Sequence, residues 1–85
     1  MENFRLIRRP NMYQIVLGDK VVSTEHKAGD IMRIFVENSL NNGVDDETLL
    51  DCLIDMIAYC DDLEGRVAIK EQIEEHIREC QMYRE

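Results

Sequence analysis

The chain has 85 residues, 45% of them hydrophobic and 33% charged, which allows one thin core but not a core plus a deep catalytic cleft. A net charge of −8 and a pI near 4.6 argue against direct binding to free nucleic acid or to a membrane surface, and for a basic partner. The longest apolar-looking stretch, Leu49 to Cys60, is interrupted by Asp51 and Asp55, so no membrane-spanning helix is expected.

The beginning Met1-Glu2-Asn3-Phe4-Arg5 lacks the apolar run of a secretory leader. Residues 3–8 then read as a short strand, with Phe4 and Leu6 alternating against Arg5 and Arg8. Arg9-Pro10-Asn11 reads as a turn, because proline fixes φ and offers no N–H. Residues 12–17 give the clearest strand, with Tyr13, Ile15 and Leu17 on one face and Met12, Gln14 and Val16 on the other. Gly18-Asp19 between two apolar runs is the signature of a type II′ hairpin. Lys20-Val21-Val22-Ser23 is the returning strand.

A helix is predicted next, with Thr24 as N-cap and Glu25 near its positive end. Ala28, Ile31, Met32, Phe35 and Ser39 share a face, which Ile34 and Val36 widen. Asn41-Asn42-Gly43 ends it, since glycine takes the left-handed conformation after a helix. The following helix opens with Val44, Asp45 and Leu49 placed as a hydrophobic staple around an acidic cap. Leu49, Leu53, Met56, Cys60, Leu63 and Val67 follow at alternating spacings of four and three, a heptad seam. The seam fails at Lys70 and resumes, shifted, as Ile69, Ile73, Ile77 and Cys80.

That shift predicts two helices meeting at Cys60-Asp61-Asp62, with Asp61 and Glu64 as a capping pair. A single helix over 45–83 would run roughly 58 Å, too long for so small a sheet unless it paired with a second copy. The expected fold is therefore α+β: a short N-terminal antiparallel β-meander of two or three strands, followed by two to three helices packed on it. One domain over 1–85 is expected, with the meander over 1–23, the first helix over 24–43 and an acidic helical region over 44–85.

The charge divides unevenly. Residues 1–43 hold six cations and five acids, a net +1; residues 44–85 hold four cations and thirteen acids, a net −9. Glu47, Asp51 and Asp55 stack at i, i+4 and i+8; Asp62 falls close to the same line if the helix continues, and Asp61 adds charge at its end. Like charges at this spacing destabilise a helix by about 0.2–0.5 kcal/mol per pair, so the sequence tolerates a cost that a binding field would explain. Carboxylates about 6 Å apart along a helix roughly imitate a line of phosphates. These five residues are the predicted partner-binding ridge, and the partner expected is a basic protein surface such as that of a nucleic-acid-handling protein. Glu71, Glu75 and Glu79 form a second column, which Arg78 is placed to compensate through Glu74 and Glu75. Arg5, Arg8 and Arg9, near Phe4 and Tyr13, form a small basic-aromatic patch expected to pair with the acidic helices.

Catalysis is not expected, and neither is a cofactor. There is no nucleophile-elbow or phosphate-cradling motif, and the acids lie on solvated faces where burial would not split their pKa values. His76 and Cys80 at i, i+4 make half of a zinc site, with only Cys52, Cys60 and His26 left to complete it and no CxxC or HxxxH pair to anchor it. An apolar-edge histidine and a buried thiol is the preferred reading. The acidic clusters do not have calcium-loop spacing. An odd number of cysteines in helical sequence suits reduced core thiols in the cytoplasm.

The seam Leu49, Leu53, Met56, Cys60 and Leu63, with Leu50 and Ile54 beside it, exceeds what one buried face needs. It offers a rival reading, a homodimeric adaptor in which the acids serve only solubility. In general character the short, acidic, motif-poor chain resembles the small inhibitors that phages and mobile elements direct against host nucleases and defence complexes. The resemblance implies a protein-binding inhibitor.

Overall fold

The computed structural model describes residues 3–82. Met1, Glu2 and 83–85, which include three of the charges counted above, lie outside the described residues. Three strands, β1 (Phe4–Arg9), β2 (Met12–Leu17) and β3 (Lys20–Glu25), form an antiparallel sheet in the order β1-β2-β3. Three helices follow: α1 (Ala28–Asn41), α2 (Asp46–Ala58) and α3 (Leu63–Met82). The α+β architecture matches the expectation from periodicity.

The alternation of β2 sets the layers. Its Tyr13, Ile15 and Leu17 stand opposite Arg8, Leu6 and Phe4 of β1, and this face turns towards the helices. Gly18 has φ +64° while Asp19 stays at negative φ, the sign pattern of a type II′ turn. An irregularity between Ile15 and Val16 shifts the β2–β3 register, so Val16 meets Val21 while Ile15 meets Ser23. The extra residue is Val22, and such a bulge bends an edge strand. The ladder then continues through Thr24 and Glu25. Thr24, expected to cap α1, is instead a strand residue, as its β-branched side chain favours. The capping position falls to Lys27, whose side chain makes no cap bond. His26 Nδ1 donates to the Asn11 carbonyl at 3.1 Å, which ties this connection to the first turn.

α1 buries Ala28, Ile31, Met32 and Phe35 against β2 and β3, and Phe35 meets Phe4 edge-on at 5.0 Å between centroids. Its end is a Schellman motif. Gly43 sits at φ +83°, its N–H donates to the Leu40 carbonyl, and that of Val44 donates to the Ser39 carbonyl. Asp45 then caps α2, accepting from the Thr48 N–H at 3.0 Å. α2 packs on β1, and α3 packs along both α1 and α2. The core gathers Leu6, Tyr13 and Ile15 from the sheet, the buried face of α1, Leu49, Leu53, Met56 and Cys60 from the α2 segment, and Ala68 and Ile69 from α3.

The break between α2 and α3 falls where the shifted heptad puts it, but Asp62 is the cap in place of the expected Asp61–Glu64 pair. Asp62 Oδ2 accepts from the Gly65 N–H at 2.9 Å. Arg66 answers from the other side: its Nη1 donates to the Ile57 carbonyl at 2.6 Å and the Cys60 carbonyl at 3.0 Å, adding a donor where the last carbonyls of a helix run short of partners. At the same corner α3 crosses so close to the sheet that a Cβ on Gly65 would lie 2.9 Å from Cys60 Sγ and 3.1 Å from Leu6 Cδ2. Gly65→Ala is therefore expected to destabilise the fold by about 1–3 kcal/mol despite its better helix propensity. Urea unfolding that shows an unchanged or raised midpoint would contradict this contact.

Candidate functional site

The buried stripe of α2 fixes how its other side chains point. At about 100° per residue, the face carrying Leu49, Leu53 and Met56 lies on the far side of the helix from Glu47, Asp51 and Asp55. The first three are buried to 1% exposure or less, and the three acids are exposed. Among the described residues none of the three carboxylates is in an ion pair, so their field is uncompensated at short range. Ile54, 47% exposed, borders this acidic face, roughly 60° around the helix from Asp51 on the side of Leu50, and exposed Ala58 follows one turn later. Tyr59 closes the helix, 59% exposed, with the Arg5 guanidinium 5.1 Å from its ring centroid. The site is thus an outward-facing acidic helix surface with an apolar spot at its edge.

Two of the five predicted ridge residues differ from that description. Asp61 is exposed but lies in the connection after α2, off the helical column. Asp62 belongs to the fold. Besides capping α3 it accepts from the Tyr13 hydroxyl at 2.5 Å and from Arg8 Nη1 at 3.0 Å, and its side chain is only 18% exposed. These bonds, that of Tyr13 first, hold the Asp62 carboxyl below its ordinary value. Burial, and then the adjoining Asp62 carboxylate, push the Tyr13 phenol up. Sequence spacing alone could not separate Asp62 from Asp61, because the partners that claim it lie about fifty positions earlier.

The predicted dimer seam is largely internal. Leu49, Leu53 and Met56 are fully buried and Cys60 is 3% exposed, all inside the chain's own core, whereas Leu63 is 76% exposed. The α2–α3 break rotates Leu63 and Val67 out of line with the rest, and α3 instead buries Gly65, Ala68, Ile69 and His76. A dimer through the seam would have to remove it from the core.

The basic patch is mostly used within the chain: Arg8 pairs with Asp62, Arg9 donates to Gln14 and Arg5 lies over Tyr59. The second acidic column is not compensated as expected, since among the described residues Arg78 forms no ion pair with Glu74 or Glu75. His76 is not at an apolar edge but 4% exposed, its Nε2 donating to the Asp46 carbonyl at 3.1 Å. Burial pushes the Cys52 and Cys60 thiols up, away from the reactive thiolate form. Among the described residues no helix is long and apolar enough to cross a membrane.

Two outcomes follow for stability. Leu53→Asp places an unpaired charge in the core, at a cost of several kcal/mol against a total of about 5–15 kcal/mol. Loss of cooperative unfolding in circular dichroism is expected; a folded variant of altered mass would restore the seam as an interface. Asp62→Ala is expected to lose roughly 2–4 kcal/mol, from a helix cap and from a stranded tyrosine hydroxyl. The Asp62 value is depressed in the folded state. Its contribution is therefore complete above its ordinary value of 3.8 and is lost as pH falls through the lower folded value. Asp62→Asn should flatten that acid limb, which denaturation midpoints measured from about pH 5 to about pH 2 would reveal. Comparison of the chain with protein-family models, with curated proteins and with solved structures gives no match.

Proposed function

We propose that the chain is a cytoplasmic binding protein that docks the outer face of α2 on a basic surface of another protein, one that handles nucleic acid or serves host defence, and inhibits it. The reading is carried by one observation: Glu47, Asp51 and Asp55 are exposed together, opposite the buried face of their helix and without ion-pair partners among the described residues. A rigid helix holds them in place without any ordering on binding, which lowers the entropic cost of association. The three acids span about 12 Å of helix, the length of roughly three to four phosphates along one strand. That matches a small part of a nucleic-acid groove and not a whole duplex site. Ile54 adds what a phosphate line lacks, an exposed apolar residue bordering the charge, and protein–protein contacts combine apolar and polar patches in this way.

Such a contact should form quickly at low salt and weaken as salt rises. The test uses the tagged chain as bait in lysate from its own host at low and high salt, beside an Asp51→Lys, Asp55→Lys double variant. Both positions are exposed, so the variant is expected to fold. A basic partner retained by the parent at low salt should be lost by the variant, with an association rate roughly tenfold lower or more. Equal capture by the folded double variant would remove the acidic face from the proposal.

A further inference from the structure

We propose that Asp46, His76 and Cys80 form an open zinc site that clips the N-terminus of α2 to the outer half of α3. Asp46 Oδ1 lies 3.6 Å from His76 Nε2, and Cys80 Sγ lies 3.8 Å from the same nitrogen. All three donor atoms fall within 4.8 Å of one another. Zinc bonds of about 2.0–2.3 Å at tetrahedral angles put ligand atoms about 3.3–3.6 Å apart. The two nitrogen edges already come within a few tenths of an ångström of that. The carboxylate–sulfur edge needs at most about an ångström of closure, and the Asp46 side chain, 66% exposed, has the freedom to supply it.

The donor chemistry selects the metal. Thiolate and imidazole favour zinc over magnesium or calcium, which take oxygen shells. Three protein ligands leave the fourth position to water, the pattern of an open site. His76 is held by burial at 4% exposure, so the central ligand is fixed before the metal arrives. The N-terminus of α2 carries roughly half a positive charge, which opposes a cation. Asp45, Asp46 and Glu47, all within the cap and first turn, more than reverse that sign.

The protons balance. Nε2 faces a carbonyl oxygen at 3.1 Å, which can only accept, so the metal-free imidazole carries its proton on Nε2. On binding, that proton is exchanged for one on Nδ1, Cys80 releases its thiol proton to solvent, and Asp46 enters as a carboxylate. One proton leaves per metal bound. None of the three ligands belongs to the proposed docking face, and either stands without the other.

The test is titration of the reduced full chain with Co²⁺, followed by displacement with Zn²⁺. One Co²⁺ per chain with a thiolate charge-transfer band in the near ultraviolet is expected, abolished by Zn²⁺, and Zn²⁺ should raise the melting temperature. Cys80→Ser should remove the band, and Asp46→Asn should weaken binding roughly tenfold or more. Cys52→Ser, on α2 away from the site, should keep both band and affinity. Absence of saturable binding overturns the proposal. So does a band that survives Cys80→Ser or disappears with Cys52→Ser.

Discussion

Asp62 is the joint on which the fold depends. One carboxylate stops the Tyr13 hydroxyl from being stranded in the core, pairs with Arg8 on the sheet edge and caps the helix that begins beside it. Its three partners come from β1, β2 and α3, so it fixes the height and angle at which α3 meets the sheet. The absent side chain of Gly65 allows the approach, and Arg66 closes the end of α2 from the same turn. Sheet and helices, which share few other polar contacts, are joined at this corner by charge-assisted bonds.

Everything outward follows from everything held inward. With Leu49, Leu53 and Met56 buried in the core and Arg66 of α3 holding its last carbonyls, the rotation of α2 about its own axis is fixed. Leu49, Leu53 and Met56 point into the core, and the acids point to water. The heptad seam and the acidic ridge are two sides of one constraint. A helix that satisfies the core in this register displays Glu47, Asp51 and Asp55 together, with Ile54 at their edge.

The sequence was most readable where structure is local. Strict alternation in 12–17, the glycine-first turn at 18–19, the glycine stop at 43 and the staple around Asp45 each specify their element from neighbours within a few positions. The strand and helix order was legible for that reason, and so was the α2–α3 break, signalled by a slip in apolar spacing. What was not legible depended on distant partners. Thr24 joined a strand because the bulge at Val22 kept the ladder running. Asp62 left the ridge because Arg8 and Tyr13 claimed it. Leu63 left the seam because the next helix turned at the joint. Asp46 gave no sign in the sequence that it would face a histidine thirty residues later. In the candidate site, Glu47, Asp51 and Asp55 could be read from i, i+4 spacing alone. The exposed place of Ile54 beside them had only the faint signal of an apolar residue off the main stripe.

The corner at Asp62 also orders events in time. The meander consists of hairpins whose strands are neighbours in sequence, and these contacts can form within microseconds. Its apolar face, however, is covered by residues that follow position 27, and its buried tyrosine hydroxyl finds its acceptors only later in the chain, at Asp62 and, at 3.4 Å, at Glu64. A bare three-stranded sheet of six-residue strands is marginal in water. As the chain emerges from synthesis, the N-terminal third therefore waits, sticky and reversible, for its last third. The core is complete only when α3 packs on α1 and α2, and truncation anywhere before that helix should leave no smaller folded unit behind.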